Sequence, residues 1–339
     1  MIKKLVFLVI VAAAIAAGGV FYGMGQVNKY LEQPLELEEP SIITIKSGTS
    51  FQGVLKQLEA NGWIVPSDFS RFVRRVKPEV VKVKAGTFQL QPDMTLTSAL
   101  LFLGKGKEHQ FAITFVEGSR FSEWREILKE SDSLVHTIDE LSEKEIAKKL
   151  GIEREKLEGL FLAETYHYTA GTSDLDILKR AHNKLASVLN SAWEQRQEKL
   201  PLKNEYEALI LASIIEKETA VESERKQVSS VFVNRLNRRM RLQTDPTVIY
   251  GMGDKYKGNI RKKDLQTPTP YNTYTINGLP PTPIAMAGEA SIEAAVNPDE
   301  TKYLYFVASG KGGHVFSKTL TEHNRAVRAY LKQLRKNKL

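Results

Sequence analysis

Residues 208–215, Ala-Leu-Ile-Leu-Ala-Ser-Ile-Ile, are apolar around the whole circumference of a helix, with one serine as the exception. They run straight into Glu216-Lys217-Glu218-Thr219. A helix without a polar side has to be wrapped by other elements, so the chain is committed to a domain built around this segment. Ionised carboxylates at the end of such a helix are costly unless something pairs with them or uses them. Burial also raises a carboxyl pKa, and an acid tuned this way can protonate a leaving oxygen near neutral pH. The plainer reading leaves one or both glutamates on an exposed last turn.

The N-terminus carries a second constraint. After Met1-Ile2-Lys3-Lys4, residues 5–25 hold no charge, and as a helix they would extend about 31 Å, enough to cross a hydrocarbon core. A cleaved signal peptide is the competing reading, because Ala12–Ala17 resembles a small-residue cleavage region. The apolar stretch outruns a typical signal core, and Val20, Phe21 and Tyr22 follow the alanines, which favours an uncleaved anchor. Lys3 and Lys4 precede the span, so residues 1–4 are expected in the cytoplasm and everything after Tyr30 outside the inner membrane, in the periplasm.

The remaining 300 or so of the 339 residues suggest two domains. The chain has no cysteine, which excludes disulfides, zinc–thiolate sites and thiol catalysis. Its net charge of +8 is spread among interleaved acids and bases, the pattern of a solvated surface, and no nucleic-acid motif is present.

Residues 26–40, acidic and with two prolines, are expected to be a linker. Ile42–Ile45 reads as a strand, and a helix with Phe51, Val54, Leu55 and Leu58 on one face follows the cap at Ser50. A second helix is predicted over 67–76, a strand over 86–90 and a short helix over 96–103. This β-α-α-β order within residues 41–107 resembles a LysM module, a fold that binds N-acetylglucosamine-containing glycans. Ile43-Thr44, Gly48 and Phe51 recur as Ile113-Thr114, Gly118 and Phe121, an echo that shared strand-turn-helix chemistry explains without duplication. Residues 108–339 form the second expected domain. Helices are predicted over 121–129, 143–150, 174–198 and 204–219, with a hairpin over 305–316 and a last helix over 321–334. The overall class is α+β. Between them, residues 251–283 are too rich in Gly, Pro, Tyr, Asn and Thr for regular helix, and a loop of that length is usually functional or disordered.

Sugar-binding clefts need flat aromatic faces and amide or hydroxyl rims. Tyr166, Gln243, Thr244, Asp245, Tyr271, Asn272 and Tyr274 supply such groups, although each taken alone is more often a turn or core residue. The motifs 158–166 (Glu-Gly-Leu-Phe-Leu-Ala-Glu-Thr-Tyr), 212–219 (Ala-Ser-Ile-Ile-Glu-Lys-Glu-Thr), 242–248 (Leu-Gln-Thr-Asp-Pro-Thr-Val) and 271–274 (Tyr-Asn-Thr-Tyr) stand in a fixed order. With Gly278-Leu279-Pro280-Pro281, Pro283-Ile284 and the His314-Val315-Phe316 hairpin, they resemble the endolytic murein transglycosylase (YceG-like) family over the whole chain.

The resemblance implies cleavage of the MurNAc–GlcNAc β-1,4 bond inside nascent peptidoglycan strands without water. The 6-hydroxyl of the same MurNAc attacks C1 and leaves a 1,6-anhydro end, and the role the resemblance implies is termination of strand elongation. One acid then suffices, where hydrolases commonly need two carboxylates. Glu216 and Glu218 lie about 200° apart around the helix, and the hydrophobic pattern does not choose between them. The resemblance selects Glu218 as acid and base, leaving Glu216 to a structural ion pair with Arg225 or Arg235. Glu164 matches a family motif and could shape the cleft or act on the pKa of Glu218, or simply satisfy the core. His314 is read as a hairpin residue near the cleft. No metal site or cofactor is expected. Work beside peptidoglycan synthases, the penicillin-binding glycosyltransferases, is implied by the resemblance alone. Two other readings stay open: a muramidase-type hydrolase with Glu164 and Glu218 as its pair, and a non-enzymatic membrane-anchored scaffold that binds peptidoglycan.

Overall fold

The computed structural model describes residues 2–336. Its packing separates one unit, residues up to 111 with 168–170, from a second formed by 112–167 and the chain from 171 onward.

The first unit opens with α1 (Ile2–Leu31), whose apolar residues are exposed through most of its length. It is one helix long and apolar enough to cross a membrane. The helix does not stop where the apolar run ends. Val27, Tyr30 and Leu31 are buried among the residues of the first unit's core, and so is Leu35. The backbone beyond is strapped down: Leu35 N–H donates to the Met94 carbonyl at 2.8 Å, and Glu36 N–H to that of Trp63 at 2.9 Å. Residues 26–40 are therefore no free linker, because the apolar side chains at 27, 30, 31 and 35 outweigh the acidic and proline-rich composition around them.

β1 (Ser41–Ile45) pairs antiparallel with β2 (Gly86–Leu90), Ser41 opposite Leu90 and Ile45 opposite Gly86. Between them lie α2 (Phe51–Ala60) and α3 (Val73–Val76). Ser50 Oγ accepts from Gly53 N–H to start α2, and Phe51, Val54, Leu55 and Leu58 are buried as their spacing requires. The helix predicted over 67–76 is a 3-10 turn at Asp68–Phe72 followed by the single turn of α3. Pro78 accounts for the stop, since it disfavours helical backbone at Lys77. α4 (Leu96–Lys105) closes the core with Leu96, Ala99, Leu100 and Leu103. The β-α-α-β order is present as expected.

β3 (Phe111–Thr114) and β4 (Thr165–Tyr168) form a second two-stranded ribbon. The second unit then adds α5 (Phe121–Lys129), α6 (Glu143–Leu150) and α7 (Asp174–Glu194). α7 ends short of 198 because Gln197 N–H donates to the Val296 carbonyl at 3.0 Å, which turns the chain inward. α8 (Glu205–Glu218) is the axis of this unit, with every residue from Ala208 to Ile215 buried. It packs against α7, α9 (Arg225–Asn237), α10 (Asp245–Met252) and α12 (Glu289–Val296). Fully buried Ala208 and Ala212 on α8, and Ala294 and Ala295 on α12, keep these helices close.

Within 251–283 the regular pieces are the end of α10, a 3-10 turn at Gly253–Lys255 and α11 (Lys262–Gln266). β5 (Tyr305–Ala308) and β6 (His314–Ser317) form an antiparallel hairpin, and α13 (Leu320–Lys336) follows. The class is mixed α+β.

Candidate active site

Glu218 is the last residue of α8. Thr219 adopts extended backbone, and its hydroxyl accepts from Val221 N–H at 3.0 Å, so the helix ends where the glutamate emerges. The side chain is half-buried and borders a cleft of about 440 Å³. Arg235, Gln243, Asp245, Tyr274 and Tyr305 also line this cleft.

The opposite wall is the start of α10. Thr244 stands at its N-cap position but makes no cap bond to its own helix. Its hydroxyl donates to Glu218 Oε1 instead. A threonine set holds it in that pose. Thr244 N–H donates to Thr273 Oγ1 at 3.0 Å, and Thr247 Oγ1 bonds both the Thr244 carbonyl (2.7 Å) and Thr273 Oγ1 (2.8 Å). Gln243, just before, is forced to a φ of +47°, a left-handed conformation unusual for a side-chain-bearing residue.

Burial pushes the Glu218 carboxyl up to about 7; the Thr244 hydrogen bond opposes that rise, the Asp245 charge adds to it, and His314 and Arg235 act downward. The group therefore holds a proton near neutral pH and can also release it. Asp245 accepts from Tyr274 Oη at 2.7 Å, which fixes a second carboxylate at the cleft wall. Arg235 is 8% exposed, and its Nε and Nη1 donate to the Leu304 and Leu242 carbonyls, both at 2.7 Å. It is a fixed cation behind the acid, lying 5.2 Å from the Tyr305 ring centre.

Glu216 points elsewhere. Its carboxylate accepts from Gly288 N–H at 3.0 Å and lies 3.7 Å from Arg225 Nη2. The expected structural pair is found, with Arg225 rather than Arg235.

The remaining expected site residues divide. Gln243, Thr244, Asp245 and Tyr274 come together around Glu218. Tyr166 does not join them: it is buried, its hydroxyl donating to the Leu162 carbonyl at 2.7 Å. Glu164 is ion-paired with Lys184 of α7 and is not among the groups acting on Glu218; the neighbouring carboxylate with that effect is Asp245. Tyr271 bonds Thr282 Oγ1 at 2.9 Å. Asn272 is 1% exposed and spends its amide on the carbonyls of Asp264, Leu265 and Thr267. Both serve the loop's shape. His314 sits in the β5–β6 hairpin, its Nδ1 2.7 Å from Glu224 Oε2. It acts on Glu218 through its charge.

Sequence reasoning missed Tyr305, Phe306 and His323 as cleft residues, and saw Arg235 only as an ion-pair partner. An arginine amid the apolar run of α9 was the available signal, since a buried guanidinium must have partners. Among the described residues, His136, Asp139 and Asp174 place ligand atoms within 4.8 Å of one another. Asp174 already accepts from Thr137 N–H, Ile138 N–H and Thr137 Oγ1, which anchors a loop to the start of α7.

A family profile described as the YceG-like family matches residues 43–329. A Bacillus subtilis (strain 168) protein named endolytic murein transglycosylase is 32% identical over 336 residues, 94% of this chain and 91% of its own. A Streptococcus pneumoniae (strain R6) protein of the same name is 27% identical over 96% of this chain, which spans 65% of that longer relative. A crystal structure of a yceG-like protein from Listeria monocytogenes is 31% identical, with a TM-score of 0.51 over 85% of this chain and 99% of that one.

Proposed function

The chain belongs to the YceG-like family, and from that premise we propose that it is an endolytic transglycosylase cutting peptidoglycan glycan strands, with Glu218 as its acid and base. The observation that carries this reading is the half-buried Glu218 carboxyl, facing a cleft and poised near pH 7. Protonated Glu218 gives its proton to the oxygen of the MurNAc–GlcNAc β-1,4 bond as the bond to C1 breaks. The 6-hydroxyl of the same MurNAc then closes on C1 and returns its proton to the Glu218 carboxylate. No water is consumed, and a 1,6-anhydro end remains. The attacking group arrives with the substrate, so proximity replaces a second catalytic carboxylate. The substrate's N-acetyl oxygen can steady the developing positive charge. Thr244 fixes the rotamer of Glu218, and Arg235 offsets the carboxylate formed midway. Tyr305 and Tyr274 offer ring faces to sugars, while Gln243 and Asp245 face their hydroxyls.

In the same reading, residues 5–25 hold the enzyme in the cell membrane with Lys3 and Lys4 inside and both units outside, beside the synthases that make new strands. Strand termination is the role that follows. The β-α-α-β module is read as a LysM-like glycan holder.

The test uses the full chain in detergent, wild type, Glu216→Gln and Glu218→Gln, on uncrosslinked strands with mass analysis. Internal fragments lighter by one water than hydrolysis products, lost in Glu218→Gln alone, are expected. Fragments carrying the added water would make it a hydrolase. Binding without cleavage would make it a scaffold.

A further inference from the structure

A second cavity, of about 340 Å³, lies toward the C-terminal end of α10 and is walled by Lys255, Lys257, Arg261 and Lys263. Asp264 is the one carboxylate in its lining, and it already accepts from Arg261 N–H at 2.8 Å. Among the described residues, none of the four cations forms an ion pair. Four exposed like charges border this one concavity, which raises the local potential and favours an anion.

The cavity is rigidly coupled to the cleft. Three consecutive residues connect them: Asn272 lines the basic cavity, Thr273 holds Thr244, and Tyr274 lines the cleft and bonds Asp245. Gly251 completes the joint, because a Cβ there would come within 2.7 Å of Thr269 Oγ1, so the loop lies directly on α10. From Asp245 to Met252 the helix rises about 10 Å, a span that an extended peptide of about three residues covers.

We infer that this cavity binds the carboxylates of the peptides that branch from peptidoglycan strands, holding a peptide-bearing sugar in register with Glu218. The inference rests on the proposed substrate. A concave, loop-braced site suits one short acidic branch, whereas a membrane of anionic lipid would call for a flat basic face.

The test compares strands bearing peptides with the same strands stripped of them, using the full chain in neutral detergent. Two variants are used, Lys257→Gln/Lys263→Gln and the same with Lys255→Gln and Arg261→Gln, both checked for unchanged melting. The wild type is expected to prefer peptide-bearing strands through a lower KM. The four-fold variant should lose that preference, its KM rising roughly tenfold as several exposed pairs are removed, and the double variant should fall between. A preference that persists in the variants, or is absent from the wild type, overturns the inference. So does a loss, in the variants, of binding to phosphatidylglycerol doped into the detergent micelles with the strand preference unmoved, which would assign the patch to the membrane. If the wild type cuts neither strand, the proposed reaction fails. Titration with the acetylated dipeptide N-acetyl-Ala-γ-Glu, which carries two carboxylates and no cation, then decides the cavity by itself: saturable binding lost in the variants supports it, and no binding overturns it.

Discussion

Glu216 and Glu218 stand two positions apart on one helix, and their surroundings give them opposite work. The Glu216 side chain is 6% exposed and that of Arg225 is 13% exposed, with Arg225 Nε buried and unpartnered. Glu117 Oε2 also lies 3.7 Å from Arg225 Nη2, so removing Glu216 leaves the cation one carboxylate while Gly288 N–H loses its acceptor, and Glu216→Ala is expected to cost about 1–3 kcal/mol, read by denaturant unfolding. A cost below about 1 kcal/mol would show that the pair is not structural. Glu218 behaves in the other direction. Unfolded, a glutamate titrates near 4.5; folded, this one titrates near 7. Between those values the folded chain keeps a proton that the unfolded chain has lost. The stability this contributes is complete below 4.5 and gone once pH passes about 7, a loss on the order of 3 kcal/mol. Glu218→Gln removes that slope, so the variant should gain on the wild type as pH climbs from 5 to 8; parallel curves would sink the argument. The apolar run marked this helix end as the place to look, but its pattern could not rank the two acids. What ranks them physically are Thr244, Asp245 and Arg225, which reach the helix end from distant parts of the sequence. Tyr166 and Asn272 show the converse, since side chains suited to a sugar rim are equally suited to bonding a loop's own carbonyls.

Among the elements, those with their own start and stop chemistry were legible. α2 begins at Ser50 and α8 at Asn204, whose Oδ1 accepts from Glu207 N–H at 3.0 Å. α1 and the end of α7 were misjudged because tertiary contacts decide them. The 278–284 segment owes its place to Gly159, which has a φ of +77° and whose Cβ would sit 2.2 Å from Pro283. Gly159→Ala is therefore expected to destabilise the second unit by more than about 2 kcal/mol, because neither a left-handed backbone nor a proline ring yields cheaply. Unchanged melting would mean that the loop moves aside freely.

For the whole molecule, the run-through of α1 into the first unit has a practical reading. A chain beginning at residue 22 should detach from membranes and keep its melting behaviour. One beginning at residue 32 loses Val27, Tyr30 and Leu31 from the core and should melt lower by several degrees or aggregate. Equal melting of the two would show that those side chains carry no weight. The same continuity sets what the anchor can do. With residues 5–25 in a bilayer, a flexible tether would let the attached unit sweep a volume and reach material at many depths. A helix that enters the fold without a break is a mast. Under the proposed topology such a helix would set the height of the first unit above the lipid, and the layer of wall within its reach would follow from helix length rather than from chance encounter.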